Sequence, residues 1–317
     1  MKETVIALGF FDGVHLGHAA LLRRTAAEAA RRGAVSALFT FDRPPKEVVT
    51  GVSCPLINSP QDRAALARER YGIQEVMIAP FNREMMTTSW QDFVTDLLAG
   101  RFHAVHLVAG HDHRFGYKNQ GTPALLAELC ETLGLGCDII PKVELDGVTV
   151  SSTHIRKLLE AGEMEEANRF LGHPHILTQE VRHGHAVGRA ALVPTVNLIF
   201  PPHVLSPAHG VYAAQVILPD GKRFAAVTNV GNRPTVGNGT DVTVESWLLD
   251  FDGNLYGQQI RVEFYHRIRG EIRFPTLDAL REQIQSDAAA ARSWFRDHPP
   301  ETGQAREASG EKGEEGI

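Results

Sequence analysis

The chain has 317 residues, of which 43% are hydrophobic and 22% charged, and a formal net charge of −6. This length predicts two domains with cores that need no staple, and the charge argues against a protein held on nucleic acid by counterion release, which requires a basic face. Three cysteines, Cys54, Cys130 and Cys137, form no CxxC pair and exclude both a disulfide framework and a cysteine zinc site.

The first half alternates strand and helix signals. Val5–Leu8 is an apolar run ending at Gly9, as in a buried strand. A helix is expected over His18–Arg32, with Leu21, Leu22, Thr25, Ala26 and Ala29 on one face and Gly33 to end it. Strands are expected at 34–41, 76–79, 104–109 and 137–140. Between them come helices at 60–71, 89–98 and 123–133, the first opened by a capping Ser59 and Pro60. Helices alternating with apolar strands predict a parallel sheet covered on both faces, a Rossmann-like α/β domain.

Near Leu171-Gly172 the pattern changes. Short strand-like runs at 211–216, 225–229, 242–248 and 259–264 lie between Gly, Pro and Asp turns and predict a small antiparallel barrel or sandwich. A helix over Leu277–Phe295 closes it. The expected division is 1–172, 173–298 and a disordered acidic tail over 299–317. The N-terminal apolar run is too short for a signal-peptide core, and no run approaches the ~18–20 apolar residues of a membrane span. The expected location is the cytoplasm, with no membrane partner.

Chemistry concentrates where strands run into helices. Gly9-Phe10-Phe11-Asp12-Gly13-Val14-His15-Leu16-Gly17-His18 sits on such a turn. Unpaired N–H groups and the positive dipole end of a helix suit phosphate, glycines admit close backbone approach, and His15 and His18 can aim at one phosphate. Ser151-Ser152-Thr153-His154-Ile155-Arg156 brings hydroxyls and an arginine to a second helix start. His111-Asp112-His113-Arg114 follows a strand at the carboxyl edge, where open α/β sheets bind ligands. The histidines could instead be zinc ligands, but such a site needs three or four convergent groups. The second half contributes Gly188-Arg189-Ala190-Ala191-Leu192-Val193-Pro194-Thr195-Val196-Asn197 and, on a later strand, Val244-Glu245-Ser246-Trp247.

On these motifs the first half resembles the FMN adenylyltransferase module of prokaryotic bifunctional riboflavin kinase/FAD synthetases, and the second half resembles their riboflavin kinase module. The resemblance spans about residues 1–297. It implies that Gly9, Asp12, Gly13, His15, Gly17 and His18 form one wall of an ATP site. Ser151, Ser152, Thr153 and Arg156 would form the other, and Asp112 and Arg114 would help hold nucleotide or flavin. His15, His18 and Arg156 would neutralise crowded phosphate oxygens. In the second module it implies Gly188 and Arg189 near the nucleotide, Thr195 and Asn197 on Mg²⁺ and ATP, and Glu245 as the base toward the riboflavin 5′-hydroxyl. The implied substrates and products are ATP, riboflavin, FMN and FAD, on a monomer or weak homo-oligomer.

Several positions depart from the family pattern. His113 replaces an aromatic, and Phe41-Asp42-Arg43-Pro44-Pro45 lacks the histidine of FDPHP. Leu192 stands for a glycine and Val193 for an aromatic in the kinase motif, and Gln179-Glu180 lie where a glycine is common. These leave open a monofunctional FAD synthetase with a degenerate kinase barrel, or a flavin-binding or sensing protein. A nucleotidyltransferase acting on phosphopantetheine or glycerol phosphate would not predict the appended barrel with Thr195, Asn197 and Glu245.

Overall fold

The computed structural model describes residues 2–182, 193–234 and 240–299. In the first half, β1 (Thr4–Leu8), β2 (Val35–Phe41), β3 (Glu75–Ala79), β4 (Ala104–Gly110) and β5 (Gly136–Ile140) form a parallel sheet in the order β3-β2-β1-β4-β5. Every residue of β1 is buried, as a central strand covered on both faces must be. The strand order reverses between β1 and β4, so their carboxyl ends open a crevice at the switch point. The glycine–histidine loop follows β1, and the segment beginning at His111 follows β4.

α1 (Leu16–Arg32) buries Leu21, Leu22, Thr25 and Ala29, and Gly33 ends it at φ 67°. It starts two residues before the expected helix because His15 itself supplies the cap. The helix expected over 89–98 is a single α turn, Trp90–Asp92, running into a π-helix over Phe93–Arg101. Its buried side chains are Phe93, Val94 and Leu98, with Phe93 and Leu98 five residues apart, and Phe102 N–H donates to Leu97 O across the wider turn.

The helices α2 (Pro45–Thr50), α3 (Pro60–Tyr71), α4 (Arg83–Thr87), α5 (Trp90–Asp92) and α6 (Pro123–Leu133) complete the first half, with a short hairpin of β6 (Glu144–Leu145) and β7 (Val148–Thr149). α7 (Ser152–Ala161) and α8 (Met164–Leu171) then leave the sheet and pack on the second half. Ile155, Leu159, Phe170 and Leu171 share one core with Leu177, Tyr212 and Phe264. There β8 (His175–Glu180), β9 (Val196–Ile199), β10 (Gly210–Ile217), β11 (Arg223–Pro234), β12 (Thr240–Leu248) and β13 (Gln259–Arg269) form an antiparallel sheet. Their order is β8-β13-β10-β11-β12-β9. Arg182 N–H donates to Asn197 O at 2.9 Å, which brings the two edges together into a nearly closed barrel. The C-terminal helix (Leu277–Asp297) covers the outer face through Ala288 and Ala291, packed with Val211, Ala213 and Val227.

The two halves are tied by direct contacts. Leu56 makes a parallel bridge with Val204, Thr178 N–H donates to Asp62 at 3.3 Å, and Arg261 grips Glu69 with two bonds of 2.6 and 2.8 Å.

Candidate active sites

The loop after β1 carries left-handed backbone at Phe11 (φ 57°), Gly13 (φ 83°) and Val14 (φ 44°). Only glycine adopts that region cheaply, and a β-branched valine there stores strain. The strain is held because Phe11 and Val14 are wholly buried core residues. The loop then enters α1 with His15 as the cap, whose Nδ1 accepts from His18 N–H at 3.3 Å. The two rings stack at 3.6 Å and 12°. A Cβ on Gly17 would come within 3.0 Å of the His15 ring, so glycine there keeps the ring's place open.

Asp12 is 2% exposed and knits the two motifs together. One carboxylate oxygen accepts from Ile57 N–H at 2.8 Å, and the other accepts from Arg156 Nη2 at 2.6 Å. Its backbone oxygen accepts from Ser152 Oγ at 2.9 Å, and Arg156 Nε also donates to Pro55 O at 2.8 Å. Burial pushes the Asp12 carboxyl upward, against the Arg156 and Arg63 guanidiniums, which favour its charge. Ser151 caps α7 by accepting from His154 N–H, and Thr153 is exposed beside it. The two helix N-termini thus converge on one crevice, with Asp12 as the internal tie between them.

Burial lowers His15 to about 4 and His18 well below its ordinary value; His15 also lowers His18. His18 keeps some accessible surface although it is densely surrounded. Both rings are neutral at pH 7, so they meet a ligand as hydrogen-bond donors rather than as standing cations. Arginine supplies the fixed charge. Arg63, with no exposed surface, donates from Nη1 to Phe10 O, Thr40 Oγ and Phe41 O at 2.8, 2.8 and 3.0 Å. It lies 4.4 Å from the Phe10 ring, and burial lowers it to about 10, so it stays charged at pH 7. At the end of β4, Asp112 and Arg114 are exposed on the crevice rim, while His113 stacks on Phe115 at 5.4 Å and 16°. Its ring, lowered to about 4 by burial, fills an aromatic's place as a neutral aromatic.

In the barrel, register aligns Asn197 with Glu245 and Glu245 with Asn229 across β9, β12 and β11. Residues in register share a face. The adjacent row, Leu198, Val244 and Val230, is fully buried in the barrel core, so the polar row lies on the opposite, outer face. Asn197 Oδ1 is buried and has no hydrogen-bond partner among the described residues. An orphaned carbonyl oxygen suits a hard cation or a donor on a nucleotide. Thr195, two residues earlier, is half-buried. Gly188, Arg189 and Leu192 lie outside the described residues.

Comparison with known proteins finds two family models along the chain. A family model for FAD synthetase matches residues 1–154, and one for riboflavin kinase matches residues 171–295. Bifunctional riboflavin kinase/FMN adenylyltransferases from Pseudomonas fluorescens and Haemophilus influenzae are 35% and 34% identical to the chain. The alignments cover 92% and 93% of this chain and 93% and 95% of those proteins. The chain belongs to the bifunctional riboflavin kinase/FMN adenylyltransferase family. A crystal structure described as a macrolide-efflux protein from Streptococcus pneumoniae shares the architecture, with TM-score 0.81 and 29% identity over 92% of this chain and 95% of that one. Among the described residues no helix is long and apolar enough to cross a membrane.

The structure brings the motifs of the first half together and adds residues that the motifs did not name. Arg63 was readable in principle: it shares the apolar stripe of the helix Pro60–Tyr71 with Leu66 and Ala67, where a charged residue is out of place. The Asn58 amide and the backbone at Pro55 and Ile57 gave no local signal, because their partners lie far along the chain.

Proposed function

We propose that this chain phosphorylates riboflavin to FMN in the barrel and adenylylates FMN to FAD in the crevice of the parallel sheet. The proposed units are 1–172 and 173–298. The observation that carries the reading is the Asp12–Arg156 pair at 2.6 Å, which locks the two phosphate-type helix starts into one site.

In the adenylylation, an FMN phosphate oxygen attacks the α-phosphorus of ATP. A P–O–P bond forms, the bond to the β-phosphate breaks, and pyrophosphate leaves. No protein nucleophile is required, so orientation and charge stabilisation carry the rate. His15 and His18 donate hydrogen bonds to phosphate oxygens, Arg156 and buried Arg63 supply positive potential, and the glycines of the loop admit the phosphates to the backbone. Gly9, Ser151, Ser152 and Thr153 line the nucleotide, with Asp112 and Arg114 at the rim.

In the phosphorylation, Glu245 takes the proton of the riboflavin 5′-hydroxyl as that oxygen attacks the γ-phosphorus and ADP leaves. Thr195 and Asn197 are the residues that fit Mg²⁺, on the evidence of the orphaned Asn197 oxygen. Among the described residues no group of three His, Cys, Asp or Glu side chains could cage a metal, which fits an ion that arrives with ATP and neutralises phosphate charge when bound. Gly188 and Arg189 complete the nucleotide contacts. The protein works on small molecules in the cytoplasm as a monomer or weak homo-oligomer.

Product analysis tests this reading. Flavin-stripped protein is incubated with ATP and Mg²⁺, with riboflavin in one tube and FMN in the other. FAD in both supports both activities. FAD only from FMN removes the kinase assignment; no FAD from either removes the adenylylation assignment, and riboflavin left unconverted as well removes both.

A further inference from the structure

The junction between the halves lies against the phosphate loop. Leu171 Cδ2 and Ile57 Cδ1 would lie 3.2 and 2.9 Å from a Cβ on Gly13, and Leu16 Cδ2 would lie 2.5 Å from one on Gly172. His173, the next residue, is 4% exposed and places Nε2 2.9 Å from Gly13 O. The other face of that Gly13–Val14 peptide is also held, since Val14 N–H donates to Phe11 O at 3.1 Å. One peptide plane is therefore clamped at both its oxygen and its nitrogen. It is separated from His15 only by the Val14–His15 peptide, in a stretch whose backbone is left-handed at Gly13 and strained at Val14.

We propose that His173 is a positioning residue for FMN adenylylation: from the kinase-side module it holds the Gly13–Val14 peptide and thereby sets the His15 imidazole at the phosphate site. His173 falls within the stretch matched by the riboflavin kinase model, 171–295, and outside the FAD synthetase match, 1–154. The first site is thus completed by a side chain that the domain match assigns to the second. The ring also has Pro174 O 2.7 Å from Nδ1. Both neighbours are acceptors, and a neutral imidazole donates from one nitrogen only. Burial lowers His173 to about 4, which leaves a single proton for two acceptors; on Nε2 it bonds Gly13 O at 2.9 Å and sets the Nδ1 lone pair against Pro174 O at 2.7 Å, a local cost of that tautomer. The Nδ1 contact is to the following residue's own carbonyl and constrains nothing distant. His175, two residues on, has both ring nitrogens buried without a partner among the described residues, so histidine at this junction does not by itself imply a tether.

The inference rests on the proposed adenylylation in the first half, and the test separates the two. His173→Gln and His173→Asn are made in the full chain. Both are neutral amides, but only glutamine reaches as far as the imidazole Nε2. FMN-to-FAD and riboflavin-to-FMN rates are measured on the same preparations. The expected result is wild-type-like FAD formation with glutamine and a fall in kcat of roughly tenfold or more with asparagine, the scale of a sub-ångström misplacement. Riboflavin phosphorylation should stay within about twofold in both. Equal FAD rates for the two variants, or both activities falling in step, would overturn the inference. Wild-type protein that makes no FAD from FMN would instead refute the adenylylation reading.

Discussion

Gly17→Ala is the substitution whose effects on stability and on activity should part most clearly. Gly17 is the second residue of α1 and its backbone is helical, so alanine meets no dihedral penalty there. Alanine is the better helix former by up to ~1 kcal/mol. Its Cβ would lie 3.0 Å from His15 Cε1 and 3.1 Å from Nδ1, while the nearest backbone atom, Val150 O, is a comfortable 3.9 Å away. Carbon contacts relax near ~3.5 Å, so the imidazole must retreat by about half an ångström. The cap bond from His18 N–H to His15 Nδ1 is already 3.3 Å long and would not survive that movement. Losing a cap costs ~1 kcal/mol, which offsets the helix gain. The melting temperature should therefore shift by no more than a few degrees. FAD formation from FMN should drop about tenfold, since ~1 Å of misplacement can cost ~10²-fold. Riboflavin phosphorylation should be untouched. An alanine variant that makes FAD at the wild-type rate would refute the role given to the His15 ring position.

Glu245→Gln should lower riboflavin phosphorylation by ~10²–10⁴-fold while FMN supplied directly is still adenylylated; parallel loss of both activities would contradict separate sites. Asp12→Asn removes the partner of Arg156, and urea unfolding should show a loss of about 3 kcal/mol or more together with loss of FAD formation; a change below 1 kcal/mol would mean the pair organises little. Glu28 is held down to about 2 by bonds from Arg31 and Arg32. Its folded value lies below the unfolded value of 4.5, so its stabilisation is complete above pH 4.5 and disappears as the pH falls towards 2. Arg31 is 66% exposed, and screening leaves about 1–2 kcal/mol; Glu28→Gln should flatten the fall of Tm between pH 5 and 3. Imidazole carbon chemical shifts in the free protein should show His15 and His113 neutral from pH 8 to 5; a midpoint near 6.5 for either would contradict their burial.

The parallel sheet was readable because its strands are mostly apolar and its helices carry their own stop signals, as with Gly33 after α1. The glycine–histidine and serine–arginine motifs were readable because each opens a helix. Long-range partners left no trace. Nothing near Asp12 announces Arg156, and nothing in Leu171-Gly172-His173 points to Gly13. β8 and β9 were also missed. β8 carries a His and three polar residues among its six, and β9 has four residues beside a polar turn. Such strands show too few alternations to register a period of two. α8 was the reverse case: Met164, Ala167, Phe170 and Leu171 keep helical spacing, but the helix is short and ends on the glycine where the pattern changes.

In the proposed adenylylation site, charge is divided between residue types for a physical reason. A histidine whose free value is about 4, as for His15, needs about 4 kcal/mol to become a cation at pH 7. Only a nearby polyanion can supply that, so the ring gains charge in step with the negative charge brought to it. Arg63, lowered to about 10, is still a cation at pH 7, and Arg156 is tied to Asp12. Standing potential therefore comes from guanidiniums fixed by backbone carbonyls and a buried carboxylate, which cannot collapse onto the phosphates. Direction comes from imidazoles held by stacking and capping. Two charged imidazoles would drive His15 and His18 apart by repulsion across a 3.6 Å stack. Neutrality in the free protein is what allows the two rings to wait face to face for the triphosphate.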